Sequence, residues 1–117
     1  MALVCPPMDE TKRQSVQRLA ALAHETRIDI FRLLVRAGPD GLNAGAIADA
    51  LQLANATCSF HLKELKLSGV IGSRRDGRRL VYQVRFDAMS HLVAYLTESC
   101  CQGLLGGEHC AWSAGAP

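Results

Sequence analysis

A chain of 117 residues that is 49% apolar makes one domain, small enough to gain much from dimerisation. Its net charge of only +2 excludes a general polycation, so any nucleic-acid affinity has to come from locally clustered arginines. Met1 to Met8 has no basic start and too few apolar residues for a secretory signal, and no apolar run approaches the ~20 residues of a membrane span. A cytoplasmic protein without a membrane partner is therefore expected. Its five cysteines, an odd number, are then expected as free thiols available to ligands rather than as a disulfide framework.

In chain order, Asp9 can cap a first helix in which Val16, Leu19, Ala20 and Ala23 recur at helical spacing, an apolar stripe that needs a partner surface. A second helix from about His24 carries Ile28, Phe31, Leu34 and Val35 on one face, widened by Ile30 and Leu33, and should be central. Gly38-Pro39-Asp40-Gly41 ends it. The third helix starts on Asn43 as N-cap, with Leu42 and Ile47 at the positions of a hydrophobic staple and Ala44, Ile47, Ala48 and Leu51 as its buried side.

After a tight join at Gln52-Leu53, a helix over about Asn55 to Ser68 has Cys58, Leu62 and Leu65 as its apolar face and Gly69 as its stop. From Val70 the period changes to two, with Leu80, Tyr82, Val84 and Phe86 alternating with Arg79, Val81, Gln83 and Arg85. Asp76-Gly77 supplies a hairpin turn. Asp87 can cap a last helix carrying Met89, Leu92, Val93 and Leu96, and Gly103, Gly106 and Gly107 end any continuation.

This order gives a mainly α fold with a small β-hairpin (α+β), a winged helix-turn-helix. Three stretches are expected: a flexible N-terminus over residues 1–8, the DNA-binding and dimerisation domain over 9–100, and a Gly/Cys tail over 101–117 that contributes to a thiol site.

On the second short helix the positions opposite the core stripe are Ala56, Ser59, Phe60 and Lys63, with Thr57 at the edge. Small residues let a helix approach base edges, hydroxyls donate or accept, and an exposed aromatic can contact a thymine methyl. Asn55, at the helix start, can reach a base or a phosphate. Taken singly, such residues are what any amphipathic helix shows on its outer face. The conjunction matters more, because Arg74, Arg75, Arg78 and Arg79 fall within six residues at the hairpin. Gathered there they repel one another unless phosphates neutralise them, so they are assigned to backbone positioning, Arg78 and Arg79 most strongly.

The segments "LAHETRIDIFRLL" and "IADALQLANATCSFHLKELKLSGVIGSRRDGRRLVYQV" resemble the ArsR/SmtB family of metalloregulatory winged-helix repressors, over roughly residues 15 to 97. The resemblance implies a homodimer, dimerised through its first and last helices, binding to double-stranded operator DNA without inducer or cofactor, and derepression when a toxic metal or metalloid binds. It maps Thr57, Ser59 and His61 onto the family's "STVSxHL" recognition segment. The residues themselves favour capping, packing or surface roles for His24, His61 and His91. The chain departs from the pattern at Ala54, where a capping serine is frequent, at Cys58, where a buried valine is usual, and at Phe60, where a polar or basic residue is common.

Cys100, Cys101 and Cys110 form the candidate thiol site, because soft thiolates select As(III), Sb(III) or a soft divalent metal. As(III) favours a three-coordinate pyramidal thiolate set, which these residues can supply alone. Adjacent helical residues diverge by about 100°, so Cys100 and Cys101 converge only where the helix ends. Zinc or cadmium would want a fourth donor, for which His109 and Glu108 are near in sequence. The resemblance adds that arsenic sensors differ in where their cysteines lie, a vicinal pair plus a third near the C-terminus being one arrangement. The family's inter-helix cysteine motif is missing near Asn43 to Ala50, and its carboxylate-histidine zinc site is not matched around Asp87 and His91.

Cys58 lies on the core stripe and reads first as a small buried hydrophobe, although some family members pair a recognition-helix cysteine with a tail cysteine. Cys5 reads as an incidental thiol, and Trp112 has no clear partner in sequence. The leading expectation is thus a repressor released by As(III) or Sb(III). Two alternatives stand beside it. One is a redox or soft-metal (Cd, Pb, Zn) sensor of the same fold, with Cys100 or Cys101 bridging to Cys110 in the redox case. The other, disfavoured because no C-x-x-C is present, is a thiol reductase; an enzyme is not expected.

Overall fold

Capping fixes where the helices begin and how they join. The computed structural model describes residues 10–98. Its helices are α1 (Glu10–Leu22), α2 (Glu25–Ala37), α3 (Ala44–Leu51), α4 (Asn55–Ser68) and α5 (Phe86–Thr97), and its strands are β1 (Leu42–Asn43), β2 (Ile71–Asp76) and β3 (Arg79–Val84). At the start of α2, His24 Nδ1 accepts the Thr26 amide, so the capping role expected of His24 is met. Asn43 Oδ1 accepts the Ala46 amide at 2.8 Å, as expected for the cap of α3. Asp9, the expected cap of α1, lies outside the described residues.

The join between α3 and α4 is a Schellman turn built without glycine. Gln52 adopts φ 56° and ψ 49°, its amide bonds to the Asp49 carbonyl, and the Leu53 amide bonds back to Ala48 at 2.9 Å. Three residues, Gln52 to Ala54, thus turn the chain from one helix into the next. Gly69 closes α4 with φ 89°.

The sheet is antiparallel and three-stranded, in the order β1-β3-β2. Leu42 pairs with Tyr82 and Asn43 with Val81, a two-residue strand too short to show any period in the sequence. Gly41 lets it dock: its φ is 67°, and a Cβ there would collide with the Tyr82 carbonyl and stand 2.8 Å from Val81 Cγ1. On the other side, Asp76 pairs with Arg79, so the central residues of the hairpin turn are Gly77-Arg78 rather than Asp76-Gly77. Gly77 has φ 68° while Arg78 has none of the positive φ that a type I′ turn would need, which is the II′ pattern with glycine first.

The core gathers around α4: Ala21 from α1, Ile30 and Leu34 from α2, Ile47 and Ala48 from α3, Val70 just before the hairpin, and Ile71 and Val84 from its strands surround Cys58, Leu62 and Leu65. Six of these, Ile30, Leu34, Ile47, Leu62, Leu65 and Val70, are wholly buried, each stabilising the fold by about 1.5–3 kcal/mol relative to an exposed position. The α4 face expected from sequence is therefore met.

Three expected faces are rotated. On α1 the buried residues are Ser15 and Ala21, while Val16 and Leu19 face outward, because α1 packs on α4 through its other edge. On α2 the centre is Ile30 and Leu34, with Ile28 and Val35 exposed. On β3 the buried pair is Val81 and Val84, and Leu80 and Phe86 are exposed. A central strand is covered on both sides near its base, which overrides simple alternation. The last helix starts at Phe86, one residue before the expected cap; Asp87 sits in its first turn, paired with Arg85 at 3.3 Å, and this contact holds its carboxyl below the usual range. No helix among the described residues is long and apolar enough to cross a membrane.

Candidate nucleic-acid interface

The α4 core stripe leaves its opposite side to solvent, and Asn55, Ala56, Thr57, Ser59, Phe60 and Lys63 are all exposed there, as expected. The exposed side has two edges. Ser59, Lys63, Lys66 and Leu67, at i, i+4, i+7 and i+8, line one edge of a groove of about 490 Å³ whose other wall is Tyr82 on β3. Phe60 belongs to the other edge, beside the start of α2.

The hairpin divides its arginines between faces. Cross-strand partners share a face and alternate residues return to it, so Arg75, paired with Leu80, lies on the same face as Ser73 and Tyr82, toward the groove. Arg74 lies on the opposite face and is tied back: its guanidinium donates to the carbonyls of Pro39 and Asp40, both at 3.1 Å, and to Gln83 Oε1. It braces the hairpin against the 3-10 turn Gly38–Asp40, where phosphate positioning had been expected. Arg75, Arg78 and Arg79 are exposed, and their side chains make no hydrogen bond or ion pair with any described residue.

His61 departs from the recognition role that the resemblance implied. It is buried, its Nδ1 accepts Arg27 Nε at 3.0 Å, and its ring lies 4.6 Å from that of His24. Accepting at Nδ1 requires the neutral ring, and burial first, then electrostatic interaction with the neighbouring His24 and Arg27, pushes its pKa below the usual value. A packing role, the other reading of the residues, is the one observed.

Arg27 is the residue that sequence reasoning missed. Besides holding His61 it donates to the Ala21 carbonyl at 3.4 Å, and its guanidinium carbon stands 5.6 Å from the centre of the Phe60 ring. Its only sequence signal is a cation one turn inside an apolar helix. Lys66 and Tyr82 were also missed as members of the interface, although Lys66 continues the Ser59 and Lys63 strip.

Two further helices, a hairpin wing and an open α4 face make the arrangement that a helix-turn-helix reader requires. Residues 22–74 match the model of a "Helix-turn-helix domain" family. The chain is 31% identical over 71 residues to the HTH-type transcriptional regulator YceK of Bacillus subtilis, covering 61% of this chain and 70% of that one. It is 33% identical over 88 residues to the HTH-type transcriptional repressor SmtB of Mycobacterium tuberculosis, covering 75% and 63%. This chain belongs to the helix-turn-helix transcriptional regulators. Among solved structures, an ArsR-like regulator from Rhodococcus sp. RHA1 superposes with a TM-score of 0.68 at 25% identity, covering 75% of this chain and 80% of that one. The homodimeric winged helix-turn-helix domain Mb0332 of Mycobacterium bovis superposes with 0.63 at 26% identity, covering 86% and 93%. Such relatives are regulators of transcription, not enzymes.

The expected thiol-site residues Cys100, Cys101 and Cys110 lie outside the described residues, as do Cys5, Glu108, His109 and Trp112. Among the described residues no group of three His, Cys, Asp or Glu side chains could hold a metal ion. Cys58 is buried, its Sγ lies 3.7 Å from the Ala44 carbonyl, and burial pushes its thiol pKa up, which disfavours the thiolate a soft ion needs.

Proposed function

We propose that this regulator is a repressor that binds operator DNA as a homodimer and is released when As(III), or Sb(III), is taken up by the thiolates of Cys100, Cys101 and Cys110. The observation that carries the DNA-binding reading is the exposed face of α4 running beside the hairpin, with Lys63 and Arg75 turned to the same groove. For repression, the similarity to the SmtB repressor is the support.

Dimerisation is supported by apolar surface that one chain leaves open. Val16 and Leu19 on α1 and Val93 and Leu96 on α5 are between 43% and 55% exposed, on two helices that pack together. A patch of that kind on paired helices is the ordinary mark of an association surface, and Mb0332 is homodimeric.

The donor chemistry supports the inducer, since three thiols suit a pyramidal trithiolate without help from nitrogen or oxygen. Release requires that the ion bind one dimer geometry better than the other. The thiols of Cys100 and Cys101 follow α5 closely in sequence, and Arg18 on α1 donates to the Ala88 carbonyl of α5 at 3.3 Å. Because α1 packs directly on α4, a displacement of α5 has a short mechanical route to the recognition helix. In a mobility-shift titration, Cys100→Ser and Cys101→Ser should keep DNA affinity and lose release by arsenite. Variants that dissociate at the same arsenite concentration as the parent would refute the thiol assignment.

A further inference from the structure

The groove between α4 and β3 contains more donor chemistry than base reading requires. Ser59, Lys63 and Lys66 line its helix side and Tyr82 its strand side, all able to donate a hydrogen bond, and no carboxylate lines it. Arg75 shares the Tyr82 face of the hairpin. Glu64, the acid of this part of α4, lines a different hollow together with Arg27 and α1. The groove is thus a concave, cationic strip along the hairpin edge of α4, which Lys66 extends about one turn beyond Lys63.

We propose that this groove seats one phosphodiester of the DNA backbone, with Lys66 and the Tyr82 hydroxyl as its main donors and Lys63 and Ser59 completing it. The proposal rests on the DNA-binding reading above and adds to it the residues that fix the register of α4. A phosphate held between helix and hairpin locks the depth and tilt at which α4 enters the major groove, because contacts to the backbone position a reader while contacts to bases specify sequence. Lys66 also stands in the last turn of α4, where a cation is favoured by the helix dipole alone. That role would act on stability and not on the salt dependence of binding.

The test uses the full chain and a duplex recovered by selection from a random-sequence pool. Lys66→Gln should lower affinity about tenfold per subunit, the size of one charge-assisted hydrogen bond, and reduce the salt slope of the homodimer by about two, one for each subunit. Tyr82→Phe should weaken binding with the slope unchanged, since no charge is removed. Replacing the duplex phosphates one at a time by neutral methylphosphonates should reveal a single position at which the Lys66→Gln loss disappears. Parent binding with an unaltered Lys66→Gln slope, or a loss spread evenly over all phosphates, overturns this seat and leaves the DNA-binding reading intact. Failure of the parent chain to select any duplex overturns both.

Discussion

The two exposed edges of α4 are built differently. On the hairpin edge Lys63 and Lys66 are exposed, face a concave groove and share it with Tyr82. On the α2 edge Phe60 is held under Arg27, which is itself bonded to His61 and to the Ala21 carbonyl. Long flexible cations adapt to a phosphate wherever it lies, whereas an aromatic ring fixed by a guanidinium is placed in advance. The first arrangement suits affinity and the second suits discrimination, where ordering a side chain beforehand lowers what binding must spend on it. One helix therefore separates the two tasks by edge.

Removing the clamp is expected to have the largest effect on the α2 edge. Arg27→Met loses a charged donor to the Ala21 carbonyl and to His61 as well as the cation-π contact, and should cost on the order of 2 kcal/mol of folding stability in denaturant titration. It should also reduce preference for the selected duplex over a scrambled one, since Phe60 is then unheld. Unchanged preference in a folded Arg27→Met variant would show that the clamp is structural only.

A smaller effect comes from pH, and its sign follows from His61. Its folded pKa lies below the ordinary 6.5, so the unfolded chain takes up a proton that the folded chain refuses. The contribution of His61 is therefore complete above 6.5 and declines as pH falls through and below that value. Equilibrium unfolding should show this decline, and a His61→Gln variant should lose that part of it. An identical pH dependence in the two proteins would mean that the ring titrates freely.

How far this could be read from sequence depends on whether the determining contact is local. The bounds of α4, the Asn43 cap and the His24 cap depend on neighbours within four residues, and the sequence carries those signals. The outward turn of Val16 and Leu19, the burial of Val81 in place of Leu80, and strand β1 depend on which element lies opposite, so periodicity alone misassigns them. Arg74 and His61 illustrate the same limit at the site: their partners lie 34 or 35 residues away in sequence. A run of four arginines looked uniform, yet one braces the fold and one turns to the groove. The tail cysteines were singled out by chemistry, and they fall outside the residues that the structure describes.

The division of labour between the edges is tested most directly by measuring the salt slope and the selected-to-scrambled affinity ratio for Lys63→Gln and Phe60→Ala side by side. Lys63→Gln should reduce the slope of the homodimer by about two, one for each subunit, and leave the ratio unchanged. Phe60→Ala should leave the slope unchanged and lower the ratio about tenfold, within the range of a lost base contact. If both variants lower affinity equally on both duplexes with the same slope, the edges do one task and the account is contradicted.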